Sequence, residues 1–212
     1  EDLSRGLGDV YKRQVIRGFE ANRLLLVVDG VRLNNAIYRS GHLQNSLTIH
    51  PNMIERVEVV YGSSSVGYGS DALGGVVHYY TKNPLINNEK KIRTQLSSDF
   101  STANNSYINS ISTELSFKKW ASLTSLSYSD FGDIRMGRNR THGFENWGLN
   151  FLYSLNNRNT YSPDPVINLN PSIQKNTNYN QIDLLQKFLF KLNAENQLVV
   201  NFQYSNSSDV PR

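Results

Sequence analysis

A chain of 212 residues and 24.1 kDa is long enough for one or two domains with a buried core. The lack of cysteine excludes a disulfide scaffold and a thiolate metal site, and a net charge of +4 with no basic run of five or more offers no patch for nucleic acid. Asn (26) and Ser (24) fill almost a quarter of the positions, and Tyr plus Phe outnumber Trp by 21 to 2, a mix that suits pleated strands joined by polar turns. No stretch approaches the roughly 18 to 20 apolar residues of a membrane-spanning helix, so a chain of this kind spans a membrane only as a β-barrel.

Three regions separate along the chain. Residues 1–14 have no clear period and resemble the translated adapter sequence left at the ends of assembled fragments, so they are set aside as unrelated to the fold. Residues 15–84 are punctuated by glycine and carry β-rich runs at 23–28, 54–61 and 76–81. The run 24–28 is apolar on successive residues and stops at Asp29-Gly30, which predicts a strand buried on both faces and ended by a turn.

From residue 85 onward the pattern becomes strict alternation. Ile92, Thr94, Leu96, Ser98 and Phe100 share one strand face, and Leu198, Val200, Phe202 and Tyr204 share another. Segments 107–117, 120–129 and 182–192 behave alike, the last with Ile182, Leu184, Phe188, Phe190 and Leu192 interrupted by Gln186. Five segments of about ten residues with one apolar face have the length and period of tilted membrane strands. Tight turns are expected near Lys118-Lys119 and over 193–196, and a long loop rich in Asn and Arg over 131–180. Short turns at one end and a long loop at the other is the asymmetry of an outer-membrane barrel, although a soluble β-sandwich alternates in the same way. Five strands cannot close such a barrel, for which about eight is the usual minimum, so a barrel reading implies a fragment.

The segment 16–84 holds the most informative blocks. Ile16-Arg17-Gly18-Phe19 is followed by Asn22-Arg23, Val27-Val28-Asp29-Gly30-Val31-Arg32-Leu33, Ile54-Glu55-Arg56-Val57-Glu58-Val59-Val60-Tyr61-Gly62 and Tyr68-Gly69-Ser70-Asp71-Ala72-Leu73-Gly74-Gly75-Val76-Val77. These blocks, in this order, resemble the plug domain of TonB-dependent outer-membrane receptors, with one departure: Tyr61-Gly62-Ser63 stands where the family usually has Arg-Gly-Pro. The resemblance implies an α+β plug fragment over residues 15–84, its C-terminal part, followed over 85–212 by antiparallel β-strands of a truncated transmembrane β-barrel.

The resemblance marks Arg17, Gly18, Asp29, Gly30, Glu55, Arg56, Glu58, Gly62, Gly69, Gly74 and Gly75 as plug-motif residues. Glycines there permit positive φ and close backbone approach, although ordinary tight turns would do the same. Arg17, Glu55, Arg56 and Glu58 set both signs of charge beside apolar strands; in the family such plug charges pair with wall charges and separate when the plug moves. A Gly-rich run could also cradle phosphate, but 62–75 contains neither a Gly-Lys-Ser/Thr nor the Gly-x-Gly-x-x-Gly spacing, and a dinucleotide site would need a helix where 76–80 reads as strand.

Asn34-Asn35-Ala36-Ile37-Tyr38-Arg39-Ser40-Gly41-His42-Leu43, then Leu47-Thr48-Ile49-His50-Pro51, resembles the plug apex of the haem and haemoglobin receptors, in which the matching His is an axial haem ligand. That makes His42 the candidate ligand of a transported haem, through a neutral imidazole nitrogen. From its polar surroundings alone, a lone His is more often a solvated loop residue or a hydrogen-bond donor. His50, His78 and His142 read as a turn, a sheet and a loop residue.

No resident cofactor and no metal site beyond haem iron at His42 is expected, and no catalytic motif is present in the sequence, so the chain reads as no enzyme. The resemblance implies uptake of haem, free or from a haemoprotein, across the bacterial outer membrane. Its partners would be membrane lipid and the TonB–ExbB–ExbD energy-transducing complex. The rivals are a ferric siderophore or other metal-chelate receptor and a soluble β-sandwich binding module.

Overall fold

The computed structural model describes residues 24–33, 49–61, 67–69, 72, 75–137, 146–157 and 160–208, with backbone alone at 24, 155–157 and 160–164. In chain order the strands are β1 (Leu24–Val28), β2 (Val31–Arg32), β3 (Ile54–Val60), β4 (Gly75–Thr81), β5 (Lys91–Ser101), β6 (Ser106–Ser116), β7 (Trp120–Phe131), β8 (Ile134–Arg135), β9 (Leu152–Asn157), β10 (Thr160–Ile167), β11 (Ile173–Gln174), β12 (Tyr179–Lys191) and β13 (Gln197–Ser207). They form two compact units. The first holds Glu1–Gln95, Ser112–Leu126 and Asp183–Ser205, and the second holds Leu96–Ile111, Ser127–Ile182 and Asn206–Arg212.

In the first unit a four-stranded mixed sheet runs in the order β2-β1-β4-β3, with β1 parallel to β4 and β3 antiparallel to it. The apolar run of β1 is buried on both faces, as its unbroken hydrophobicity requires. Leu26 and Val28 pack with Ile49, Val77 and Tyr79 on one side, and Leu25 and Val27 with Ala72 and Val76 on the other. Asp29 and Gly30 form the two-residue turn between β1 and β2, with φ of 47° and 85°. Positive φ at both positions is the geometry whose twist matches two antiparallel strands, and Asp-Gly meets its demand at little steric cost. Ahead of β3, the His50 ring accepts from the Asn52 amide and so caps the 3-10 turn Pro51–Met53. Helix among the described residues is confined to short 3-10 turns.

The five long strands form one sheet in the order β13-β12-β7-β6-β5. Their burial decides between the two folds that alternation left open. The apolar residues Ile92, Leu96, Phe100, Ile111, Leu126, Ile182, Leu198, Val200 and Phe202 are exposed, Leu96 at 75%, while the polar Ser125, Ser127, Ser129, Gln181, Asp183 and Lys187 are buried, Ser127 at 1%. A soluble sandwich buries the opposite faces, because its core must be apolar; a polar interior with an apolar exterior belongs to a membrane barrel wall. The sheet is open, ending in β5 and β13.

Gln186 breaks the apolar outer row of β12 without leaving its amide unmet. Its Oε1 accepts from Thr124 Oγ1 at 2.6 Å and its Nε2 donates to Ser122 Oγ at 2.9 Å, both on the neighbouring β7. Across β5 and β6, Phe100 lies against Tyr107 (4.6 Å between centroids), Ser98 bonds Asn109 and Thr94 bonds Thr113. Tight turns occur where expected: Phe117 N donates to Trp120 O, and Asn193 Oδ1 accepts from the amides of Glu195 and Asn196.

The stretch 131–180 differs from the expected plain loop. Its described part carries two short antiparallel ladders, β8 with β11 and β9 with β10. Polar side chains hold them in place of a core. Asp133 Oδ1 accepts from the amides of Thr177 and Asn178, and the buried Asn168 donates to the carbonyls of Asn150 and Ile173.

Candidate functional site

The turn between β1 and β2 aims the Asp29 carboxylate at the wall of the first unit. Oδ1 accepts from Thr81 N at 2.9 Å, and Oδ2 accepts from Thr81 Oγ1 at 2.6 Å, Asn201 Nδ2 at 2.8 Å and Gln203 Nε2 at 3.2 Å. Lys187 Nζ stands 3.1 Å from the same Oδ2 and also donates to Thr81 O at 3.2 Å and Asn83 Oδ1 at 2.9 Å. Period two explains the convergence, since Lys187 lies on the buried face of β12 while Asn201 and Gln203 share one face of β13. Met53 packs with Leu123 and Leu185 and adds an apolar contact between the same parts.

The side-chain exposure of Lys187 is 3% and that of Asp29 is 17%, so the pair is largely withdrawn from water. Burial pushes the Asp29 carboxyl upward, but the Thr81 hydroxyl and amide and the Lys187 ammonium outweigh it and hold the group below its ordinary value. The carboxylate is therefore charged at neutral pH, and one charge-assisted cluster ties the small sheet to the wall.

A second arrangement supports the turn from below. Gly30 N donates to His78 Nε2 at 3.0 Å, which leaves the ring proton on Nδ1, 3.4 Å from Tyr68 Oη. His78 stacks on Tyr80 at 4.0 Å between centroids, and the Arg56 guanidinium covers Tyr80 at 3.8 Å. Desolvation lowers the His78 pKa, which keeps the imidazole neutral and able to accept.

Of the residues singled out from sequence, Asp29 and Gly30 form the turn, Gly69 lies beside the Arg32 guanidinium and Gly75 opens β4. A side chain at Gly69 would meet that guanidinium at 2.7 Å, on a backbone with φ of 100°. Glu55, Arg56 and Glu58 lie on β3, where Arg56 pairs with Glu58 on its own strand at 2.8 Å; among the described residues, the charge of the small sheet's side that pairs with the wall is Asp29. Arg17, Gly18, His42, Gly62, Gly74 and His142 lie outside the described residues. Sequence reasoning missed Lys187, Thr81, Asn201 and Gln203. The available signal was a lysine among the polar residues of β12, a charge whose burial demands a partner.

Residues 3–76 match the model of the TonB-dependent receptor plug domain, a match that extends into the first 14 residues. The matched residues hold β1, β2, β3 and the start of β4, so the small sheet is the part of the chain that is similar to that plug domain. The chain is 36% identical over 106 residues to the heme/hemopexin utilization protein C of Haemophilus influenzae, covering 49% of this chain and 14% of that one. It is 43% identical over 77 residues to a hemin receptor of Yersinia enterocolitica (36% of this chain, 11% of the relative). It is also 46% identical over 66 residues to the vitamin B12 transporter BtuB of Vibrio vulnificus (31% and 10%). Among solved structures, the FrpB iron transporter of Neisseria meningitidis superposes with a TM-score of 0.63 at 18% identity, over 89% of this chain and 25% of that one. The ferric enterobactin receptor PfeA of Pseudomonas aeruginosa does so with a TM-score of 0.57 at 16% identity, over 91% and 26%. These two likenesses are of fold. The chain thus spans at most 14% of the length of these curated relatives and about a quarter of the solved chains.

Proposed function

We propose that this chain is the plug and first wall strands of a receptor that imports haem across the outer membrane, driven by the TonB–ExbB–ExbD complex. The observation that carries the cargo is the 36% identity to a heme/hemopexin utilization protein over 106 residues, seconded by the likeness to a hemin receptor. His42, on its Gly41-His42-Leu43 segment, would supply an axial nitrogen to the iron. The Asp29, Lys187, Asn201 and Gln203 cluster would act as the catch between plug and wall. Pulling the plug separates a buried carboxylate from its ammonium, which sets a barrier against idle opening and ends when water enters to solvate both ions.

Titration of the full-length receptor with haem tests the cargo. The expected result is a Soret shift that His42→Ala abolishes or weakens at least tenfold; an unchanged spectrum and affinity in the variant would remove the ligand role. A ferric siderophore or another chelate is the second reading, since 46% identity to a vitamin B12 transporter over 66 residues shows that the plug sequence is shared across cargoes. In that case the wild type itself would not bind haem.

A further inference from the structure

The turn end of the wall carries a feature that neither the catch nor the cargo uses. Lys90 and Lys91 stand at the start of β5, Lys118 and Lys119 in the turn between β6 and β7, and Lys191 at the end of β12, all exposed. Backbone bonds draw these places together: Lys191 N donates to Lys119 O at 2.8 Å, and Asn87 N to Phe117 O at 3.3 Å. Among the described residues none of the five ammonium groups has a carboxylate within ion-pair distance, and the acids on the same turns are Glu89 and Glu195.

The lysines border an aromatic row. Phe117 and Trp120 stack at 4.4 Å between centroids, Lys90 Nζ stands 5.7 Å above the Phe117 ring, and Phe188 and Phe190 lie on the outer face of β12. At this end of the exterior, rings and ammonium groups stand together, with Lys90 over Phe117 and the stacked Phe117 and Trp120 flanking the Lys118–Lys119 turn. Rings and ammonium groups are the chemistries that meet the headgroup boundary and headgroup phosphate. In outer-membrane barrels the short turns face the periplasm, where the membrane leaflet is phospholipid. Five positive charges against two negative ones select anionic headgroups over zwitterionic ones by charge complementarity.

We propose that the lysine rim at the turn end of β5, β6, β7 and β12, above Phe117 and Trp120, is a docking site for anionic glycerophospholipid of the periplasmic leaflet. Binding would hold the wall at a fixed depth, with the phosphates on the ammonium groups and the rings at the glycerol level. Native mass spectrometry of the full-length receptor, with phosphatidylglycerol or phosphatidylcholine added in detergent, tests this. Phosphatidylglycerol should be retained at least fivefold more than phosphatidylcholine, and replacing Lys90, Lys91, Lys118, Lys119 and Lys191 together by Gln should abolish the difference while Arg replacements keep it. Equal retention of both lipids by the wild type, or a preference that survives the Gln substitutions, would overturn the proposal. Should the Gln variant fail to fold, the wild type at 0.5 M salt replaces it: loss of the preference is expected, and its persistence counts against an electrostatic site.

Discussion

Removing the Asp29 charge should loosen the small sheet from the wall more than removing the Lys187 charge, although both substitutions break the same ion pair. In Asp29→Asn, the Oδ2 position that gathers Lys187, Asn201, Gln203 and the Thr81 hydroxyl becomes an amide nitrogen facing three nitrogen donors. The ammonium stays buried at 3% exposure with two neutral acceptors, Thr81 O and Asn83 Oδ1. Stranding one ion of a buried pair costs about 3 to 5 kcal/mol. In Lys187→Met the carboxylate keeps four donors, the lost bond to a charged group costs about 1.5 to 3 kcal/mol, and methionine fills the space of the lysine stem. The assay is hydrogen exchange at the Thr81 amide in the full-length receptor, since that amide donates to Asp29 Oδ1. A loss of about 3 kcal/mol accelerates its exchange by roughly a hundredfold or more. The double variant should be less damaged than Asp29→Asn alone, because no ion is left buried. A milder effect in Asp29→Asn than in Lys187→Met, or a double variant as impaired as the sum of the two, would refute the reasoning.

Two further outcomes follow from the same geometry. His78 has a depressed pKa in the folded chain, so its stabilising effect is complete above the ordinary histidine value of about 6.5 and declines as pH falls below it; the protection of the Gly30 amide, its exchange rate relative to the intrinsic rate at each pH, should therefore fall between pH 7 and pH 5. His78→Gln, which keeps an acceptor but does not titrate, should flatten that profile, and an unchanged profile in the variant would exclude His78 as its source. Asp29 acts in the same direction at lower pH: its depressed pKa keeps the catch charged until the pH falls below the ordinary carboxyl value of about 3.9, so the His78 window is free of it. On the outer face, Gln186→Leu alone should lower thermal stability in detergent by about 1 kcal/mol, because Thr124 and Ser122 lose their partner. Adding Thr124→Val and Ser122→Ala should restore it, and a triple variant less stable than the single one would show that the polar cluster does more than satisfy itself.

Much of the fold was readable along the chain. The unbroken apolar run of β1 implied burial on two sides, Asp29-Gly30 implied a tight turn, and the alternation of the five long segments placed the wall strands within a few residues. These are local matters, decided by backbone preference and by a side-chain period of two. The Asn-rich stretch between β7 and β12 was read as a plain loop because its ladders rest on hydrogen bonds from Asp133 and Asn168, which leave no periodic trace.

Period two shows that each strand has a wet face and a greasy one, but the same pattern serves a sandwich and a barrel. Only the tertiary structure revealed that the serines of β7 are enclosed and Leu96 is not. The catch was equally hidden: Asn201 lies 172 positions from Asp29, and Arg56, which looked like a charge for the wall, is satisfied by Glu58 two residues away on its own strand. Sequence settles which residues are charged and which way a strand alternates. The choice of partner follows from where chain closure brings distant segments together, because a buried ion must be matched by whatever the fold places within about 3 Å of it.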